Sequence, residues 1–126
     1  TGGTTGKSKG VMLSHRNLIA NTFHWLVSVP KKEDDIVLVM APLFHAAGSG
    51  GVIANIWTLG THVTLAVFDP KTALDLIAQH GITDSLGVPT MLAAIAEEQL
   101  IRPRKIDTLR TLAHGGSPIT TQISRR

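Results

Sequence analysis

Three short stretches carry residue types suited to chemistry on an activated phosphate. The first ten residues, TGGTTGKSKG, combine Gly2, Gly3, Gly6 and Gly10 with Thr1, Thr4, Thr5, Ser8 and the cations Lys7 and Lys9. Glycine permits the tight bends that turn backbone N–H groups toward one anion, while the hydroxyls add donors and the lysines add charge. Such a loop can cradle a polyphosphate. It is not the G-x-x-x-x-G-K-[ST] loop: Gly6-Lys7-Ser8 fill the last three positions, but the glycine needed five residues earlier is Thr1. The second stretch, PLFHAAGSGG, places Phe44 and His45 just past an apolar run. His45 has no acid or second histidine at ligand spacing, which leaves a place in a pocket wall or a structural role. The third, AHGGSPI, sets His114, Gly115 and Gly116 after another apolar run and before Ser117-Pro118. Those glycines would let a flat ring lie against the backbone, or would simply make a turn.

The elements around these stretches follow from periodicity and punctuation. Ser14, with Asn17 three residues on, is the expected N-cap of a helix over about 16–29, whose apolar face is Leu18, Ile19, Phe23, Leu26 and Val27. Pro30 ends it, KKEDD turns, and IVLVMA at 36–41 reads as a strand covered on both faces. A helix over 48–59 carries Val52, Ile53, Ile56 and Trp57 on one face; its glycines predict close approach to a neighbour or ligand. A strand at 62–68 precedes a helix capped by Asp69, begun at Pro70 and stopped by Gly81. Then come a strand within 82–88, a helix from Pro89 to about Leu100, and a strand in LRTLAHGG. This alternation predicts an α/β fold with a mostly parallel sheet and helical crossovers.

Composition narrows the class. At 126 residues with 43% hydrophobic residues the chain can bury one core. A net charge of +3 with two Trp, three Phe and no Tyr does not suit nucleic-acid binding. No cysteine is present, which removes disulfides and thiolate chemistry from this chain. The stretch 36–68 lacks Asp, Glu, Lys and Arg, yet Pro42, His45, Asn55, His62 and a glycine run divide it, so a buried core and no transmembrane segment is expected. No signal peptide is visible, and a cytoplasmic location is expected. Arg102, Arg104, Lys105 and Arg110 read as solvated surface, Glu97 and Glu98 as a solvated helix face, Asp34 and Asp35 as turn residues, and Met12, Met40 and Met91 as core fillers.

Taken together, the three stretches resemble the adenylate-forming enzymes, the superfamily of acyl-CoA synthetases, firefly luciferase and peptide-synthetase adenylation domains. The family's phosphate loop, T-S-G-T-T-G-x-P-K-G-V, is matched at Thr1, Gly3, Thr4, Thr5, Gly6, Lys9, Gly10 and Val11, and its S-H-x-N extension at Ser14, His15 and Asn17. APLFHAAG resembles the second block in its acyl- or aryl-CoA ligase form, and AHGGSPI the G-G-x-P-L block with Ile119 for leucine. Gly2 stands where serine is usual and Ser8 where proline is usual, removing one hydroxyl and loosening the loop. The resemblance implies that residues 1–11, chiefly Thr1 to Lys9, hold the ATP phosphates, that His45 within 41–59 stands at the acyl pocket, and that Gly115, Gly116 and Ser117 within 113–119 line the adenine and adenylate. It also implies ATP, Mg2+ and CoA as cofactor and co-substrates, and a carboxylic acid, expected to be fatty, activated to acyl-AMP with release of pyrophosphate. The family's Y-G-x-T-E block, ribose-binding aspartate and catalytic lysine would follow Arg126. The chain is therefore expected to be an interior segment of the large N-terminal domain, without activity alone. Alternatives are a domain loading a carrier protein, or a nucleotide- or acyl-binding module without catalysis.

Overall fold

The first ordered turn is fixed by a reciprocal pair of hydrogen bonds. In the computed structural model, which describes residues 6–120, helix α1 (His15–Ser28) starts where the Asn17 amide donates to Ser14 Oγ at 3.2 Å and the Ser14 amide donates to Asn17 Oδ1 at 3.0 Å. This capping box satisfies two backbone donors that a helix start leaves open. Strand β1 (Ile36–Val39) follows, then helix α2 (Ala46–Trp57), strand β2 (Thr61–Thr64), helix α3 (Pro70–His80), strand β3 (Asp84–Gly87), helix α4 (Pro89–Ile101) and strand β4 (Thr111–His114).

All pairings are parallel and the strand order is β2-β1-β3-β4. Val37 stands beside His62 and Asp84, and Leu86 and Gly87 beside Ala113 and His114. β1 thus sits where the chain turns from building outward on one side to building on the other. In open parallel sheets this switch point, at the carboxyl ends of the strands, is where ligands bind.

Alternation along β1 separates two layers. Leu38 and Met40 pack with Ala73, Leu74 and Ile77 of α3 and with Leu92 and Ile95 of α4. Val37 and Val39 turn to the other face, beside Trp25 of α1 and Gly48 and Val52 of α2. A four-residue strand buried on both faces needs apolar residues in sequence rather than in alternation, which is what IVLV supplies.

Several expectations need correction. β1 stops at Val39 rather than Ala41, because Pro42 brings no N–H and biases the residue before it. β2 ends at Thr64: Leu65 N still donates to Val39 O at 3.0 Å, but β1 offers no partner beyond. α2 begins at Ala46, two residues before the expected start. On α1, Ile19, Phe23 and Val27 are exposed, and the fully buried residue is Thr22, whose hydroxyl donates to Leu18 O at 2.9 Å. Met12 is 99% exposed rather than a core filler, whereas Met40 is buried and Met91 packs on the core.

Candidate functional site

The loop after β1 and the glycine pair after β4 leave the same edge of the sheet. Pro42 to His45 follow β1, Val88 follows β3, and Gly115 to Ser117 follow β4. Parallel pairing puts all three exits at the carboxyl end, around the switch point.

His45 is the N-cap of α2. Its backbone is extended (φ −105°, ψ 143°), and its Nδ1 accepts a hydrogen bond from the Ala47 amide at 3.1 Å. An accepting Nδ1 assigns the proton to Nε2. The exposed side of the ring is therefore a donor, suited to an anionic or carbonyl oxygen, and not a base poised to remove a proton. Sequence reasoning weighed a pocket wall against a structural role. The ring does have the structural role, and its Nε2 side is exposed.

The next turn explains why α2 contains glycines. A Cβ on Gly48 would stand 2.4 Å from Pro42 O and 2.8 Å from Ala41 O, and one on Gly50 would stand 3.1 Å from Trp25 Nε1. These two glycines let α2 press against the loop after β1 and against α1, as expected of them. At Gly51 a Cβ would meet nothing within 4 Å among the described residues outside its own helix turn.

Gly116 has φ +85°, a conformation that favours glycine, and a Cβ there would touch only Val88 Cγ1 at 3.9 Å. Gly115 faces open space. With Ser117 also exposed, the end of β4 is a bare strip of backbone onto which a planar ring can lie.

Of the expected phosphate loop, Gly6, Lys7, Ser8 and Lys9 are exposed, and Gly6 has φ +93°. Thr1, Gly2, Gly3, Thr4 and Thr5 lie outside the described residues. The chain after the loop is held near the site: Val11 and Leu13 line an open cavity of about 630 Å3 with Asn17, Phe44, Ala46 and Ser49. A second open cavity, about 500 Å3, lies across the carboxyl ends of β1 and β2 between Phe44, Leu65, Phe68 and Met91. Phe44, almost fully exposed, borders both.

At the opposite, amino end of the sheet lies a charged cluster that sequence reasoning took for turn and surface. Asp35 is buried; its carboxylate accepts from Arg110 Nη2, from Thr83 Oγ1 at 3.2 Å and from the Lys32 amide at 2.8 Å. Lys31 Nζ lies 2.6 Å from Asp84 Oδ1, with the lysine side chain 3% exposed. Burial pushes the Asp84 carboxyl above the usual carboxylate range, against the opposing pull of Lys31. Arg104 and Glu98, expected in solvent, pair at 2.9 Å, with Asp75 also 2.9 Å from the guanidinium. No local signal marks these pairs, because their members meet only through the sheet register.

Among the described residues no three His, Cys, Asp or Glu side chains converge to hold a metal ion. No described helix is long and apolar enough to cross a membrane. The glycine strip offers a flat backbone surface, and exposed Lys7 and Ser8 offer charge and a hydroxyl donor.

Comparison with known proteins gives a consistent result. The chain matches the AMP-binding enzyme family over residues 1–126. It is 40% identical to feruloyl-CoA synthases of an Amycolatopsis and a Streptomyces species, covering 100% of this chain and 26% of each relative. It superposes on the O-succinylbenzoate coenzyme A synthetase of Bacillus subtilis in complex with AMP with a TM-score of 0.87 at 30% identity, covering 99% of this chain and 25% of that one. The N-terminal domain of FACL13 from Mycobacterium tuberculosis, at 24% identity, shares the fold with a TM-score of 0.91, covering 99% of this chain and 31% of that one. The chain thus spans about a quarter of the length of the curated relatives it matches.

Proposed function

Because this chain belongs to the AMP-binding enzyme family, in its acyl-CoA ligase branch, we propose that the protein containing it is an ATP-dependent carboxylate–CoA ligase. The observation that carries the reading is the convergence of the loops after β1 and β4 on one switch point, with a ring donor at His45 and a bare backbone strip at Gly115 and Gly116.

In this reading Thr1 through Lys9 hold the triphosphate, backbone N–H groups and lysines offsetting its charge while a carboxylate approaches. A carboxylate oxygen attacks the α-phosphorus, the bond to the bridging oxygen breaks, and pyrophosphate leaves with that electron pair. The adenine lies along Gly115 and Gly116, and Ser117 offers a hydroxyl beside it. His45 donates from Nε2 to an oxygen of the carboxylate or of the acyl-adenylate, fixing the acyl group as it enters between α2 and the sheet. The thiol of CoA then adds to the acyl carbonyl, AMP departs, and the thiol proton is released. When bound together with ATP, magnesium would supply charge neutralisation at the phosphates.

The test is product analysis with the full-length protein, ATP, a panel of fatty, aryl and amino acids, and either CoA or a pantetheine-bearing carrier protein as thiol. Mass detection of an acyl-CoA with AMP is the expected result. Thioester formed only on the carrier would replace the acceptor, and ATP binding without adenylate would reduce the protein to a binding module.

A further inference from the structure

The last turn of α2 is tied to β2 by a side chain that has one way to satisfy its neighbours. Asn55 is fully buried, and its amide lies over Gly60, where a Cβ would stand 2.4 Å from Oδ1 and 2.9 Å from Nδ2. Nδ2 donates to Thr61 O at 3.0 Å and also lies 3.3 Å from His62 Nε2. Oδ1 is the one buried side-chain polar atom among the described residues without a hydrogen-bond partner. The Thr61 carbonyl fixes this orientation, because a turned-over amide would set oxygen against oxygen there. Nδ2 can only donate, so Nε2 accepts and the neutral ring carries its proton on Nδ1.

A protonated His62 has no satisfactory arrangement at this junction. Its new N–H would face the Asn55 NH2 group, donor against donor. Turning the amide over would give Nε2 an acceptor, but would set Oδ1 against Thr61 O and leave Nδ2 beside Gly60, where Oδ1 already lacks a partner. Leaving a buried donor or acceptor unpaired costs more than a made hydrogen bond contributes. Nor do the surrounding charges favour an imidazolium. Register puts Val37 between His62 and Asp84, and Lys31 reaches this row to pair with Asp84, so the nearby cation repels the charged ring while that carboxylate is already engaged. Asp35 is likewise occupied, by Arg110 and Thr83, and α2 carries no ionisable side chain. A backbone hydrogen bond at Val52 favours the charged form, and burial outweighs it.

We infer that Asn55 and His62 form an acid-released latch, in which protonation of His62 frees the C-terminal end of α2 from β2 while the rest of the sheet stays folded. Three features make the release local. β2 is an edge strand, so the connection from α2 can open without parting β1, β3 and β4. The core cluster of Leu74, Ile77, Leu92 and Ile95 belongs to α3 and α4, and the other anchor of α2 is at its far end, where Gly48 presses on the Pro42 carbonyl. The connecting turn also stores strain: Leu59 is held at φ +62°, a left-handed conformation unfavourable for leucine, and opening relieves it. Histidine is the side chain whose charge changes over mildly acidic pH, which sets the range of the device.

The experiment is hydrogen–deuterium exchange, resolved by peptide, on the full-length protein and its His62→Gln variant between pH 7 and pH 5, each rate divided by the intrinsic rate at that pH. The amides of Leu59 and Gly60 donate to Ile56 O and Asn55 O, and that of Thr61 to Asp35 O, so they report the junction. Their protection should fall by about ten-fold in the wild type at pH 5, as a local opening linked to one proton and a shift of one pKa unit requires. Protection of Ile82, whose amide donates to Ile77 O, should change by less than about two-fold. In His62→Gln, which keeps a hydrogen-bonding side chain that does not titrate, the junction should hold its protection throughout. Loss spread evenly over α2, α3 and β3 would be a global acid effect and overturns the inference. So does junction protection that ignores pH, or that falls equally in the variant. Should the variant fail to fold, the onset in wild type decides: loss beginning near pH 6.5 supports the inference, and loss beginning only below about pH 5, in the carboxylate range, overturns it.

Discussion

His45 commits one ring nitrogen to the helix it begins and leaves the other exposed, and substitutions can separate the cap from the proposed contact with substrate. His45→Asn keeps a side-chain cap and should melt close to wild type, whereas His45→Ala should lose about 1 kcal/mol, read by thermal or urea denaturation. Both should lower acid-dependent pyrophosphate exchange by about ten- to hundred-fold, the worth of a hydrogen bond to a charged group. The glycines separate in the same way. Gly48→Ala sets a Cβ 2.4 Å from the Pro42 carbonyl and should destabilise by about 2 kcal/mol or more, whether or not ATP is present. At Gly115 a Cβ meets no atom of the described residues within 4 Å, so Gly115→Ala should leave stability within about 0.5 kcal/mol while nucleotide affinity, measured calorimetrically, falls at least about ten-fold.

The junction of α2 and β2 gives the element-scale prediction. Asn55, fully buried, donates through Nδ2 to Thr61 O at 3.0 Å and lies 3.3 Å from His62 Nε2, tying the end of the helix to the strand it feeds. Burial holds the His62 imidazole below its ordinary value, a backbone hydrogen bond at Val52 opposing it and the Lys31 charge adding to it. A histidine with a depressed folded value contributes stability that is present above the unfolded value, near 6.5, and is lost as pH falls through the folded one. Melting temperature should therefore drop between pH 7 and pH 5, and His62→Gln should flatten that slope; an unchanged slope would remove His62 from the account. The elements themselves were readable in the sequence because their signals are local: the Ser14–Asn17 box, Asp69 before Pro70, and Gly81, which does adopt φ +62° at the end of α3. Strand ends were less readable because they depend on the neighbour, as at β2, whose partner runs out at Val39. α2 started early because histidine is not an expected cap. The ion pairs could not be read, since Asp35 and Arg110 are distant in sequence and only the parallel register of β1, β3 and β4 brings them together.

At the scale of the whole molecule the sheet divides the work by its two ends. The amino end is cross-linked by Asp35, Thr83 and Arg110, and Arg110→Ala should destabilise by about 1–3 kcal/mol because it leaves a buried carboxylate short of its cation, without changing which acid is used. The carboxyl end carries exposed Phe44, His45 and the glycine strip around one switch point, where the proposed substrates would bind. That the loops after β1 and β4 leave the same end of the sheet followed from the strand–helix alternation, but the lining of the space behind them depends on packing between α2 and the sheet. The claim joining both ends is that this sheet edge forms an acyl-adenylate. Carboxylate-dependent exchange of labelled pyrophosphate into ATP by the full-length protein tests it most directly. Exchange that requires the acid and falls sharply in His45→Asn is the predicted result, and nucleotide binding with no exchange for any carboxylic acid would contradict it.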